Sequence, residues 1–110
     1  MYNVILIDNN EMHAETLTAR LRNRGLNVMR HVESISALSM LKRGDTSWDL
    51  VLINVSGSSQ TWLKILRQLQ ELCVSSSHCR PLVLCLSTVR REPQFELQIE
   101  RLGARFVYER

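Results

Sequence analysis

The chain has 110 residues, enough for one domain. Hydrophobic residues make up 45% and charged residues 23%, an ordinary globular composition that excludes a disordered tail, a collagen-like repeat and a coiled coil. The net charge of +3 comes from 14 Lys and Arg against 11 Asp and Glu. The basic residues are dispersed, densest at Arg20, Arg22 and Arg24 and then at Arg90 and Arg91. They read as a solvated helix end and a loop, not as a nucleic-acid footprint.

No apolar run approaches the roughly 20 residues of a membrane span, and Met1 to Asn10 lacks the basic start and long apolar core of a secretory signal. The expected location is the cytoplasm, with no membrane partner. Three cysteines match no disulfide framework. Cys85 lies in an apolar run and reads as a small core hydrophobe. Cys73, His78 and Cys79 lack a nearby fourth ligand and a C-x-x-C pair, so no metal site is expected and reduced thiols are.

In chain order, Val4-Ile5-Leu6-Ile7 is too short for a helix and reads as a buried strand. Asp8-Asn9-Asn10 then offers N-cap chemistry for a helix from about Glu11. Ala14, Leu17 and Leu21 share one face of that helix, and Gly25 suits its C′ position. A weaker strand spans about Asn27 to Val32. Ser34 can cap a short helix with Ile35, Leu38 and Leu41 inward, closed by Gly44. Asp49 to Asn54 is a second buried strand, followed by the polar loop Ser56-Gly57-Ser58-Ser59. Trp62, Ile65, Leu66, Leu69, Leu72 and Cys73 give the strongest helical spacing in the chain. A Ser-rich loop, Val74 to Arg80, leads into the strand Leu82 to Leu86. Pro93 to Leu102 carries both patterns. Phe95, Leu97 and Ile99 alternate as in a strand, whereas Pro93 at N1 and Gly103 at C′ frame a helix. Helix is preferred because it gathers Phe95, Ile99 and Leu102 on one side. A last strand covers about Arg105 to Glu109.

Strands alternating with helices, three of the strands apolar throughout, imply a doubly wound parallel sheet covered on both faces. Ligands of such sheets bind beyond the carboxyl ends of the strands. Those ends carry Asp8-Asn9-Asn10, Asn54-Val55-Ser56 and Ser87-Thr88. Asp8 is nearly the only carboxylate there, and no glycine-rich phosphate loop follows the first strand. An amide such as Asn54 carries no charge and cannot attack phosphorus. No cofactor and no catalytic residue are expected.

The order of elements and the strand ends resemble the receiver domain of two-component response regulators, over nearly the whole chain. The family's first strand ends in two acidic residues, here Asp8 and Asn9. Its third strand reads D-(L/V)-(V/I)-(L/I)-(L/I)-D, here Asp49 to Asn54, so the resemblance puts the phosphoacceptor position at Asn54. Its fourth strand ends in Thr or Ser, here Ser87. Its fifth strand follows a Gly-Ala pair, here Gly103-Ala104, and ends in a Lys, a position that falls at Arg110. The switch aromatic falls at Val107 by strict spacing, or at Tyr108 if the strand is one residue longer, in which case the Lys position lies beyond Arg110.

The departures form a set. Asn54 replaces the acceptor aspartate, Asn9 half of the acidic pair, and Arg110 the lysine, for which Arg is no equivalent. The resemblance therefore implies a degenerate, pseudo-receiver domain: a flavodoxin-like (βα)4β unit over residues 1–110, lacking the fifth helix, that works through protein contacts and not phosphorylation. It implies a homodimer or control of an output domain, DNA-binding in a transcriptional regulator, carried by a part of the protein outside this chain. Phe95, Leu97, Phe106 and Tyr108 are the candidate interface residues, in the region through which the family touches its partners. A missing fifth helix bares about 300–500 Å² of apolar sheet, on the order of 8–12 kcal/mol at about 25 cal/mol per Å². The expectation is an N-terminal fragment of a longer regulator that dimerises in isolation. Two alternatives stand beside this reading: a phosphotransfer receiver with another acceptor, Ser56 or Asp8, and a small flavodoxin-like cofactor binder or enzyme.

Overall fold

A computed structural model describes residues 2–43, 47–55, 61–75, 81–88 and 93–108, with the side chains of residues 34, 61 and 73–75 outside that description. Five strands, β1 (Asn3–Ile7), β2 (Asn27–His31), β3 (Leu50–Asn54), β4 (Leu82–Ser87) and β5 (Arg105–Tyr108), alternate with four helices. These are α1 (Glu11–Asn23), α2 (Ser34–Arg43), α3 (Thr61–Ser75) and α4 (Pro93–Arg101). All strand pairs are parallel, in the order β2-β1-β3-β4-β5. The order reverses between β1 and β3, so the carboxyl ends of those two strands flank the crevice where such sheets bind ligands.

The alternating side chains of each strand feed two separate cores. Ile5, Ile7, Val51, Ile53, Val83 and Cys85 point to one face, under Ala37, Leu38 and Leu41 of α2, the buried stripe of α3 and Ile99 of α4. Val4, Leu6, Val28, Leu52 and Leu86 point to the other, under Ala14 with Leu17 and Leu21 of α1. Asn10 caps α1, its side chain accepting from the His13 amide at 3.1 Å, a contact worth about 1 kcal/mol. Gly25 at φ +85° ends the helix as expected, and Gly103 at φ +84° follows α4 in the same way.

The residues framing Pro93 to Leu102 do form a helix. Ile99 is fully buried, and Phe95 and Leu102 pack onto the same core. One expectation on α2 fails: Ile35 is 73% exposed. The inward stripe is Ala37, Leu38 and Leu41, and Ile35 lies about 110° around the helix from its centre at 3.6 residues per turn. Ser34 is the first residue of α2, while the Ser36 hydroxyl donates to the Glu33 carbonyl at 3.0 Å. Gly44, residues 56–60 and 76–80, Arg90, Arg91, Glu109 and Arg110 lie outside the described residues.

Candidate functional site

Asp8 follows β1 directly and is 1% exposed, although it is an aspartate. A buried carboxylate persists only where donors replace its water. Three do so. The Asn10 backbone N–H donates to Oδ1 at 2.9 Å. The Asn54 side-chain amide, at the end of β3, donates through Nδ2 to the same oxygen at 2.9 Å. His13, in the first turn of α1, donates through Nδ1 to Oδ2. The Asp8 main chain is held as well: its N–H donates to the His31 carbonyl at 3.0 Å, and Arg30 donates to its carbonyl from Nε at 3.3 Å and an Nη at 3.1 Å. One residue thus ties the ends of β1, β2 and β3 to the start of α1.

The sequence singles out Asp8 and Asn54, and the structure brings them together across 46 positions. Asn9, the other half of the expected pair, is exposed. Sequence reasoning misses His13 and Arg30. A signal for His13 existed: with Asn10 as N-cap, His13 is N3, the position from which Glu or Gln reaches back past the helix start in a capping box. Here the imidazole makes that reach, to the residue two before the cap.

On the neighbouring strands Ser87 is fully buried, one residue beyond Leu86, which pairs with Asn54. Ser87 pairs with Tyr108, so in this parallel register the two side chains leave the same face, with Cys85 and Phe106. Val107 leaves the opposite face beside Leu86. Of the two candidate positions for the aromatic, Tyr108 is therefore the one that shares a face with Ser87. Arg110 falls outside the described residues.

The four candidate interface residues divide in two. Phe95 packs against Trp62 with ring centroids 4.2 Å apart and planes tilted by 57°, and Phe106 meets Phe95 edge-on at 5.8 Å. Both pack against the core and are half-buried, because α4 leans its apolar stripe onto α3 and β5. Phe95 and Phe106 thus serve mainly the core. Leu97 and Tyr108 remain 50% and 39% exposed.

Receiver-type chemistry requires Mg²⁺, which takes near-octahedral oxygen ligands including one or two carboxylates. The donor set does not fit that ion. Both oxygens of Asp8 already hold hydrogen-bond donors. Asn54 turns its amide nitrogen, a donor and not a metal ligand, toward Asp8, as an accepting carboxylate oxygen demands. Among the described residues no cluster of three His, Cys, Asp or Glu could hold a metal ion. Nor is any described helix long and apolar enough to cross a membrane.

No family model matches the sequence, and no curated protein matches it at a significant level. Solved structures do match. The chain is similar to a response regulator protein from Burkholderia pseudomallei with a phosphorylated aspartic acid, calcium ion and citrate, at TM-score 0.75 and 22% identity over 96% of this chain. It spans 58% of that protein's length. It is similar to the Vibrio cholerae chemotaxis protein CheY4, at TM-score 0.80 and 16% identity, covering 99% of this chain and 87% of that one. A third likeness is to the Saccharomyces cerevisiae receiver domain of Ssk1 in its co-crystal structure with Ypd1, at TM-score 0.81 and 13% identity, covering 98% and 78%. At these identities the likeness establishes the fold: this chain has the flavodoxin-like fold of response-regulator receiver domains.

Proposed function

We propose that the chain is a phosphorylation-independent receiver-like signalling domain, not an enzyme, acting in the cytoplasm through protein contacts. The observation that carries this reading is the Asn54 amide donating to buried Asp8. Asn54 occupies the position where the resemblance puts the phosphoacceptor, and it satisfies its neighbour instead of repelling it. A pair of carboxylates at that distance would have to share a proton or a cation; a carboxylate and an amide need neither. Neither alternative is favoured by a specific observation. Asp8 is buried with both oxygens engaged, and no phosphate cradle follows β1.

The contacts are made by a second copy of the chain and, in a longer regulator of which this is the receiver-like part, by an output domain such as a DNA-binding one. On the sheet face served by α1, the β4–β5 half leaves Leu82 51% and Val107 38% exposed, with Leu84 only partly covered. Leu97 and Tyr108 add exposed apolar surface on the other side of β5. Contiguous exposed apolar surface of this kind marks an interaction face. Two such faces meeting about a twofold axis give a weak dimer, smaller than a standard interface.

Sedimentation velocity at tens of micromolar, with and without acetyl phosphate and Mg²⁺, tests both halves. The reading predicts a concentration-dependent dimer, unchanged by the phosphoryl donor and lost in Leu82→Asp/Val107→Asp. A dimer that forms only with acetyl phosphate contradicts it.

A further inference from the structure

We propose that His13 is the resident occupant of the cation position beside Asp8, and that it, as much as the lost acceptor, is what closes this pocket to divalent ions. The inference deepens the reading of a pocket that has left phosphoryl chemistry, and concerns which residue excludes the ion.

Three observations carry it. The His13 imidazole contacts Asp8 Oδ2, the oxygen that neither Asn10 nor Asn54 uses. Its side chain is only 18% exposed and that of Asp8 is fully buried, so the contact is part-buried with its carboxylate end out of water. The imidazole is also held there by the backbone, because the His13 amide is the one that Asn10 caps. A divalent ion reaching Asp8 must therefore expel a hydrogen-bonded ring from a preorganised site. The remaining ligands do not repay that, since Asn54 presents Nδ2 and Asn9 is exposed.

Restoring the carboxylate is then insufficient. In Asn54→Asp the imidazole stays on Asp8 and donates within a two-carboxylate pocket, doing there what a metal would do. Only a chain that also lacks the ring offers Asp8 Oδ2 to an ion beside the new carboxylate. The strength of a hydrogen bond to a charged group sets the expected difference at about ten- to a hundredfold in ion affinity.

The test is a Mn²⁺ titration, followed by the EPR signal of the free ion, of the natural chain, Asn54→Asp, and Asn54→Asp/His13→Ala. Far-UV circular dichroism on each sample shows that it is folded. Asn54→Asp/His13→Leu, which fills the vacated space without a donor, serves if the alanine chain does not fold. The expected result is no saturable binding by the natural chain, weak binding by Asn54→Asp, and binding at least about tenfold tighter in the double variant. Equal affinity in the single and double variants, or none in either, overturns the role given to His13. That failure leaves the proposed function standing, because phosphoryl transfer is read separately by mass. Saturable Mn²⁺ binding by the natural chain overturns the exclusion itself.

Discussion

Asn54 and Asp8, 46 residues apart in sequence, meet at 2.9 Å with the amide of one donating to the carboxylate of the other. The pair joins β3 to β1 at the point where strand order reverses. Asp8 is buried, so the bond is made in a low-dielectric setting where a missing or reversed partner is costly. Asn54→Asp puts an acceptor where a donor stood and adds like charge. At neutral pH it is expected to lower stability by roughly 2–4 kcal/mol, and Asn54→Ala by roughly 1–2 kcal/mol. Urea unfolding of the three chains checks the order, which is reversed if the pocket welcomes a second carboxylate.

His31 predicts a pH dependence. The Ser36 hydroxyl donates to the Glu33 carbonyl and so accepts from His31 Nδ1 at 2.9 Å, while Nε2 is buried without a partner. Burial lowers the His31 pKa from 6.5. On acidification the unfolded chain therefore takes up its proton first. Stability is expected to fall as pH drops through about 6.5 and to level off below the folded value. Thermal melts between neutral and mildly acid pH check the sign, and the slope should flatten in His31→Gln.

Cys85 is fully enclosed, and burial pushes its thiol up to about 12. Thiolate, the reactive form, is scarce at ordinary pH. Iodoacetamide at pH 8 followed by peptide mapping is expected to leave Cys85 unmodified in the folded chain and to label it in urea. Rapid native labelling would mean that β4 opens easily.

The Trp62–Phe95–Phe106 arrangement ties α3, α4 and β5 together. Phe95 sits in the middle and touches both other rings. Phe95→Ala is expected to cost about 2–4 kcal/mol and to loosen β5 most. Leu97→Ala, on the exposed side of the same helix, should cost less than about 0.5 kcal/mol. Urea unfolding with hydrogen exchange of the β5 amides separates the two.

Much of this was legible because the strands are nearly continuous apolar runs and the helices carry 3–4 spacing. Val4 to Ile7, Leu50 to Ile53 and the α3 stripe each say one thing only. Ile35 misleads because a short helix has too few turns to fix its phase, and Ala37 rather than the larger residue faces the sheet. The register of β5 could not be read from spacing, since a one-residue shift exchanges the faces of Val107 and Tyr108. Pairing of Ser87 with Tyr108 puts those two on one face and Val107 on the other. The amides at positions 9 and 54 were visible as departures, but the meeting of His13 with Asp8 was not. It spans a strand-to-helix junction, where neither the period of 2 nor that of 3.6 applies.

The central claim, that this pocket no longer accepts a phosphoryl group, is tested most directly by intact mass after incubation with acetyl phosphate and Mg²⁺. The account predicts that the natural chain keeps its mass. A gain of one phosphoryl group on the natural chain would contradict it.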